Sequence, residues 1–299
     1  MLTTTVAGRT WDYSRAMGRY LGGSDGPGDE SFVQPIKVAV GPAGAVYVLN
    51  RGMEGTMGGP VMQPRAFGVR IGRFTMGDAH GSEEFVTEFS GFGEGDGEMV
   101  WPAGMAVDST GNVYATDEWL NRVVVFTEDG RFLGQWGSGG EARGEFDRPS
   151  GIAIDRDDRV FVVDSMNHRV QVLTTHGESV DVWGQRGDGP GELDSPWGVA
   201  VNADGQVYVA DHKNHRVQKF SVDGGLLNSF GTLGTGPGEL TRPTDVTVDP
   251  DGDVYVCDWA NNRVQIFSPD GDFLASLVGD AQELTKWARQ SVDANPDVQ

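Results

Sequence analysis

Five copies of one sequence pattern run along this chain of 299 residues, and this repetition limits the folds open to it. A copy begins close to Pro-x-Gly-x-Ala-Val-Asp, continues with Val-Tyr-Val-x-Asp and ends near Asn-x-Arg-Val-Gln. The last four copies begin 47 residues apart, at Pro102, Pro149, Pro196 and Pro243, and a looser copy begins at Pro35. A regular repeat of this length predicts an array of similar supersecondary units. Residues found in every copy are therefore assigned to the scaffold, and residues found in one copy are functional candidates.

Each copy divides into four short apolar segments separated by turns. The pairs Asp129-Gly130 and Asp270-Gly271 stand between the third and fourth segments. Such pairs supply the positive φ angles that tight hairpins need. Four antiparallel strands in each unit of about 40 to 50 residues, repeated around an axis, make a β-propeller blade. The sequence therefore predicts an all-β propeller.

The order of the motifs carries a family resemblance. Pro-x-Gly-[Ile/Val]-Ala-[Ile/Val]-Asp, then Gly-x-Val-Tyr-Val-x-Asp, then Asn-His-Arg-Val-Gln, then Gly-Pro-Gly-Glu-Leu resembles the NHL-repeat family of β-propellers over residues 30–280. The resemblance implies a propeller, usually with six blades. It implies no single activity, because the family includes lyases, ligand sensors and interaction modules.

Only five copies contain inner strands, so a sixth blade must come from elsewhere. Residues 9–21, followed by Gly-Pro-Gly-Asp, are expected to form the outer end of a blade that leads into the first copy. After the fifth copy, Leu284, Trp287, Ala288 and Val292 recur at helical spacing and predict a short amphipathic helix. We therefore expect a propeller over residues 1–280 and a helical tail over 281–299. Either a region absent from this chain supplies the missing inner strands, or the ring is open and its exposed edges favour a homo-oligomer.

The composition excludes several classes of partner. The net charge is −21, from 44 acidic and 23 basic side chains, so neither nucleic acid nor an anionic membrane is expected to bind. No segment has the length and apolarity of a signal peptide or a bilayer span, which favours a soluble cytoplasmic protein. The single cysteine, Cys257, excludes an internal disulfide and aligns with Val163 and Ala210. It is predicted to be a small buried hydrophobic residue.

Several recurring polar residues are assigned to the scaffold. An Asp at the end of the second strand and an Arg on the third are expected to form one buried ion pair per blade. His168 and His215 occupy a position that asparagines fill in other copies, so a hydrogen bond to a loop explains them. The glycine-rich runs over 184–193 and 231–240 do not lead into helices and are interpreted as connections between blades. The expected ion pairs are Asp117–Arg122, Asp164–Arg169, Asp211–Arg216 and Asp258–Arg263.

The copies differ most at one face. In a propeller, the start of strand one and the loop after strand two open on the same face, around the mouth of the channel. Large aromatic side chains beside a few polar groups are typical of a small-molecule site. The alternative is that the tryptophans only cap the channel and pack between blades. The aromatic candidates are Trp101, Trp119, Trp197 and Trp259, and the polar candidates are Lys37, Arg51, Glu118, His212, Lys213 and Asp245.

The first copy also carries an insertion over residues 52–66 on the same face, with three methionines among glycines and prolines. A loop of this composition either folds over the channel mouth as a lid or is an ordinary long loop. Trp136 and Trp183 share a fourth-strand position and are assigned to the scaffold.

Two classes of function fit the predicted face. In the first, it binds a small organic molecule or a peptide, without a cofactor or a metal. In the second, it is a lyase or hydrolase in which His212 is the general base, Glu118 its acid partner and Lys213 the group that stabilises developing negative charge.

The family resemblance narrows the enzymatic alternative. Peptidyl-hydroxyglycine lyases related to this family hold zinc with histidines that follow the first-strand proline. This chain has no histidine there, which argues against a lyase of that zinc type; the residues at this position are Ile36, Ala103, Ser150, Trp197 and Thr244. Calcium-dependent lactonases of similar shape would need more oxygen ligands than Asn50, Glu118 and Asp245. RNA binding, a third alternative, needs a basic face that the acidic composition argues against.

Overall fold

The computed structural model describes residues 3–6, 9–12, 34–54, 66–67, 69–76 and 84–278. An N-terminal hairpin pairs β1 (Thr3–Val6) with β2 (Arg9–Asp12). Five four-stranded antiparallel sheets follow, and each is one blade. Blade 1 consists of β3 (Pro35–Val40), β4 (Val46–Asn50), β7 (Arg70–Thr75) and β8 (Glu84–Phe89), with the small hairpin of β5 (Met53–Glu54) and β6 (Ala66–Phe67) inserted after β4. Blade 2 consists of β9 (Pro102–Val107), β10 (Val113–Asp117), β11 (Arg122–Phe126) and β12 (Phe132–Trp136), and blade 3 of β13 (Pro149–Ile154), β14 (Val160–Asp164), β15 (Arg169–Leu173) and β16 (Ser179–Trp183). Blade 4 consists of β17 (Val199–Val201), β18 (Val207–Asp211), β19 (Arg216–Phe220) and β20 (Leu226–Phe230), and blade 5 of β21 (Pro243–Val248), β22 (Val254–Asp258), β23 (Arg263–Phe267) and β24 (Phe273–Val278).

Single turns of 3-10 helix connect strands two and three in three of the blades. They cover Ser165–Asn167, His212–Asn214 and Trp259–Asn261, and a fourth such turn, Pro42–Gly44, follows β3. Each of the three turns that follow a second strand ends in a residue with a left-handed backbone, which redirects the chain into the third strand. These turns place the residues just past strand two at one end of the blades.

The core lies between adjacent blades. Successive residues of a strand point to opposite faces, so the second strand of blade 4 contacts both neighbours. Val207 and Val209 pack with Phe161 and Val163 of blade 3, whereas Tyr208 packs against blade 5. All of these side chains are buried, and each contributes about 1.5–3 kcal/mol of burial free energy. This two-sided packing explains why the second strands are apolar at almost every position.

The glycine of the Pro-x-Gly motif allows the inner strands to approach one another. A Cβ atom on Gly151 would lie 2.5 Å from the carbonyl oxygen of Trp197, and one on Gly198 would lie 2.6 Å from the Cα of Asp245. Both neighbouring atoms belong to the backbone of the next blade. A side chain at Gly151 or Gly198 would therefore collide with the backbone of the next blade.

The described residues form five blades, and the six predicted from the family resemblance are not found among them. Inner strands pack in the order β3, β9, β13, β17 and β21. The side of blade 1 that would face a preceding blade leaves Val38 57% and Val40 69% exposed. On the corresponding side of blade 5, Cys257 is exposed, although its counterparts Val163 and Ala210 are buried. The prediction of a buried Cys257 is wrong, because no described blade covers this side of blade 5.

The predicted ion pairs form in three of the four blades named. Arg169, Arg216 and Arg263 place Nε 2.7–2.8 Å from a carboxylate oxygen of their partners, all of which are fully buried. In blade 2 the prediction is wrong. Arg122 donates instead to the carbonyls of Glu94, Gly95 and Glu98. Asp117 accepts backbone N–H groups from residues 100, 101, 119 and 120. The Asn and Gln that bind the carboxylate in blades 3 to 5 are replaced here by Leu120 and Val124.

Other scaffold predictions are confirmed. His168 Nδ1 accepts the backbone N–H of Ser195, and His215 Nδ1 accepts that of Arg242. Trp183 is buried in the core between blades 3 and 4, and Trp136 packs against Phe146.

Parts of the prediction lie outside the described residues. These are most of the segment 9–21, the middle of the first-copy insertion and the helix predicted over 281–299. No helix in the described ranges is long and apolar enough to cross a membrane.

Candidate functional site

The residues predicted from the variable positions do lie at one end of the blades. We call this end the aromatic face and define it by Trp101, Trp119, Trp197 and Trp259. Backbone hydrogen bonds join the start of strand one to the loop after strand two: Glu118 N donates to the Trp101 carbonyl, and Trp197 N to the Ala210 carbonyl. The strand starts and the loops therefore form one surface.

Arg51 and Trp101 link blade 1 to blade 2. The Arg51 guanidinium lies 4.8 Å from the centre of the Trp101 ring, and its Nε and Nη2 both donate to the Pro102 carbonyl at 3.1 Å. Burial lowers the pKa of Arg51, and the nearby Glu118 carboxylate opposes that shift. Burial also raises the pKa of Glu118, against the effects of Arg51 and Arg148.

Trp197 and His212 form a second pair, in blade 4. Their ring centres are 4.8 Å apart with an angle of 77° between the planes, an edge-to-face contact. His212 Nδ1 lies 3.2 Å from the Pro243 carbonyl of blade 5. Since a carbonyl only accepts hydrogen bonds, we assign the proton to Nδ1, which leaves the Nε2 lone pair unprotonated. Burial lowers the pKa of His212, so the ring is neutral at pH 7.

Lys37 and Asp245 join the first blade to the fifth. Lys37 Nζ lies 2.6 Å and 2.7 Å from the two carboxylate oxygens, and the side chains are 16% and 32% exposed. Both residues replace the glycine of the Pro-x-Gly motif. Asp245 has room for a side chain because no described blade follows blade 5. The ion pair bridges residues 208 positions apart in the sequence.

Trp119, Trp259 and Lys213 are the exposed members of the predicted set. Trp119 is 66% exposed and Trp259 57% exposed, and the Lys213 side chain is 52% exposed. Met166, which occupies the repeat position of Trp119 in blade 3, is 38% exposed. Beside it lies a cavity of about 330 Å³ lined by Met166, Asn167, His168, Arg169 and Glu141.

The structure does not bring the predicted catalytic residues together. Glu118 follows the second strand of blade 2 and His212 that of blade 4, with blade 3 between them. The groups that perturb Glu118 are Arg51, Arg148 and Asp117, and those that perturb His212 are basic residues of blade 4 and its border. Within the described ranges, no group of three or more His, Cys, Asp or Glu side chains is placed to hold a metal ion.

A connection between blades was missed by the sequence analysis. In three blades, the residue just past strand two binds the carbonyl of the proline that begins the next blade: Arg51 with Pro102, Ser165 with Pro196 and His212 with Pro243. From the sequence, the position just past strand two is predicted only to supply ligand-binding candidates. Its recurrence next to an invariant proline was the signal that could have indicated a structural role. Arg51 and His212 thus contribute to the joint between blades whatever else they do.

Five four-stranded sheets packed side by side define this chain as a β-propeller. The sequence profile of the NHL repeat matches residues 146–173, 193–220 and 240–267, which belong to blades 3, 4 and 5. The chain therefore contains NHL repeats, and the resemblance seen in its motifs is confirmed. A search of curated protein sequences finds no match.

Solved structures share the fold at low sequence identity. The nidogen/laminin complex aligns with a TM-score of 0.59 and 18% identity, over 83% of this chain and 81% of the other. A catalytically inactive virginiamycin B lyase from Staphylococcus aureus with quinupristin aligns with a TM-score of 0.56 and 14% identity, over 83% and 70%. A streptogramin B lyase aligns with a TM-score of 0.54 and 13% identity, over 83% of both chains. At these identities the likeness shows the fold alone, and the fold is shared by enzymes and a binding protein.

Proposed function

We propose that this NHL-repeat propeller binds a small organic molecule or a peptide at the aromatic face. The observation that carries the proposal is the exposure of Trp119 and Trp259, 66% and 57%, on a surface that also presents Lys213. Neither position requires tryptophan for the fold, since the equivalent residues in other blades include Met166, Ser165 and Ala260. Contact with about 100 Å² of apolar ligand surface would contribute about 2.5 kcal/mol.

A peptide array followed by single substitutions in the protein tests this proposal. Wild-type protein is applied to an array of short random-sequence peptides, and bound peptides are then titrated in solution. We expect Trp119→Ala or Trp259→Ala to weaken binding at least fivefold, and Leu227→Ala, an exposed apolar residue of blade 4's outer strand, to leave it unchanged. If all three variants bind like the wild type, the aromatic face is not the site.

Enzymatic use of the same face is the second candidate, and the free Nε2 of His212 favours it. A neutral imidazole whose Nδ1 is held by the Pro243 carbonyl is oriented to accept a proton at Nε2. Quinupristin is a suitable probe, because one of the structural relatives was solved with it. Turnover that His212→Ala abolishes while binding persists would establish an enzyme. Binding without turnover, insensitive to His212→Ala, would support the binding function.

We also propose that the open side between blades 5 and 1 is covered in solution, either by a sixth blade that includes the chain ends or by a second copy of the chain. Exposed Val38, Val40 and Cys257 on this side support the proposal. Light scattering after size exclusion distinguishes the two: a monomer with slow thiol labelling of Cys257 supports the sixth blade, and a dimer supports the second copy. A monomer in which Cys257 reacts as fast as a free thiol refutes both.

A further inference from the structure

The basic groups of blade 4 are unusual in a protein with a net charge of −21. Lys213 and Arg186 belong to this blade and the connection that leads into it, and Arg242 lies at the border with blade 5. Two histidines of the same turn region, His212 and His215, stand beside them. Three of the five histidines in the chain, these two and His168, lie in this part of the aromatic face.

Hydrogen bonds to the backbone fix the segments that carry these groups. Arg242 N donates to His215 Nδ1 at 3.1 Å, and His212 Nδ1 contacts the carbonyl of Pro243 at 3.2 Å. The loop that carries Lys213 is fixed in turn by its N–H bond to the Asp194 carbonyl. Burial lowers the pKa of His212, and the electrostatic effects of Arg242, His215 and Lys213 act in the same direction.

The cations in this region are poorly neutralised. Lys213 Nζ lies 3.9 Å from its nearest carboxylate oxygen, on Asp194, and that carboxylate also lies 3.4 Å from His168. Arg186 and Arg242 are exposed and form no ion pair within the described ranges. Acidic side chains outnumber basic ones almost two to one in the whole chain. Even so, Arg186 and Arg242 have no carboxylate partner among the described residues, and Lys213 has only a distant one.

An apolar surface adjoins the cations. Trp259 begins the turn after strand two of blade 5 and is 57% exposed, and the Trp197–His212 pair lies on the adjacent blade. A ligand that lay on Trp259 could reach Arg242 and Lys213 with a charged substituent. Neutralising cations that are already close together also relieves their mutual repulsion.

We propose that the ligand of the aromatic face is an anion, an apolar or aromatic molecule whose carboxylate or phosphate lies against Lys213 and Arg242 while its apolar part covers Trp259. This inference rests on the proposed function and names the class of ligand. His215 accepts a hydrogen bond at Nδ1, so in its neutral form it carries its proton on Nε2 and can donate to the same anion.

A matched pair of dyes tests the anionic subsite. The probes are 8-anilinonaphthalene-1-sulfonate and its neutral analogue N-phenyl-1-naphthylamine, which share the aromatic part and differ in the sulfonate. The test variant is Lys213→Glu/Arg242→Glu. The control is Arg131→Glu/Arg156→Glu, which makes the same change in net charge in exposed turns at the opposite end of the blades. Thermal melts verify that every variant is folded.

We expect the sulfonate dye to bind more tightly than the neutral one, and the test variant to weaken its binding at least fivefold. The control variant should change its dissociation constant less than twofold, and neither variant should affect the neutral dye. Equal responses of the two dyes, or equal effects of the two variants, would overturn the proposal.

The aromatic part of the site is tested separately. Trp259→Ala should weaken both dyes. If it affects neither, while Lys213→Glu/Arg242→Glu still weakens the sulfonate dye alone, the anionic subsite stands and the proposed function of the aromatic face fails. If Trp259→Ala weakens both dyes and the charge variants act alike, the aromatic site stands and the anionic subsite fails.

Discussion

His212 contacts both a polar backbone group and an aromatic ring. Its Nδ1 is bound to the backbone of blade 5, and its ring packs edge-on against Trp197. Burial makes protonation of the ring unfavourable, and its neighbours Arg242, His215 and Lys213 add to that effect. The side chain is therefore stable in the folded protein as a neutral imidazole.

This environment predicts a pH dependence of stability. The pKa of His212 is lower in the folded than in the unfolded protein, so on acidification the unfolded state takes up its proton first. The stabilisation from neutral His212 is present above about pH 6.5 and is lost as the pH falls below it. We expect the free energy of unfolding to decrease between pH 7.5 and 5.5, and to decrease less in His212→Gln. Urea denaturation at both pH values measures it.

The control for this prediction is His176→Gln, which alters an exposed histidine in the turn before β16. It should show the same loss of stability with acidification as the wild type. If His212→Gln and His176→Gln behave alike, the imidazole of His212 is not held neutral by the fold.

Within a blade, the buried carboxylate at the end of strand two organises the connection to the preceding blade. In blade 4, Asp211 is fully buried and accepts hydrogen bonds from Asp194 N, Asn214, Arg216 and Gln218. The same pattern recurs around Asp164 and Asp258. The carboxylate thus joins the glycine-rich connection, the 3-10 turn and strand three.

Removing the arginine from this hydrogen-bond network should lower the stability of the fold. Arg216→Met leaves Asp211 as a buried charge without its ion-pair partner, and we expect a loss of about 3–5 kcal/mol of stability. Arg122→Met in blade 2 removes hydrogen bonds to carbonyl groups but no ion pair, so its loss should be smaller. Urea denaturation of both variants measures the difference, and equal losses would show that the ion pair adds nothing to the network.

The close packing of neighbouring inner strands leads to a second prediction. In Gly151→Ala the new methyl group would lie 2.5 Å from the Trp197 carbonyl oxygen, so blades 3 and 4 must separate. We expect a loss of about 1–3 kcal/mol, as for other overpacked sites. Gly134→Ala is the matched control, because no atom lies within 4 Å of its added Cβ. Thermal melts should show a lower Tm for Gly151→Ala alone, and equal Tm values would contradict the close approach.

In the whole molecule, the ends of the series of blades are joined across the open side. The Lys37–Asp245 ion pair connects blade 1 to blade 5, and the inner strands of these blades pack less closely than those of sequential neighbours. Because both side chains are largely shielded from water, salt screens their attraction less than that of a surface pair.

A double-mutant cycle measures this connection. With Lys37→Met, Asp245→Asn and the double variant, we expect a coupling free energy of about 1 kcal/mol, at the upper end of the range for exposed pairs. The coupling should persist at 0.5 M NaCl, where exposed ion pairs are screened. A coupling near zero would show that the open side is not held together by this contact. Arg73 and Glu128, an ion pair with one well-exposed partner, provide the comparison cycle.

The blades could be predicted from the sequence, because each strand, turn and buried Asp–Arg pair depends on residues close together within one repeat. The sequence also placed the tryptophans and polar candidates at one face, since their position in the repeat dictates which end of a blade they occupy. Three features became apparent only in the folded chain: the number of blades that the described residues form, the exposure of Cys257 and the ion pair between Lys37 and Asp245. The fold also separated Glu118 from His212 by a blade. These outcomes depend on contacts between distant repeats, and a repeating pattern specifies the unit and its immediate neighbour but not how the series closes.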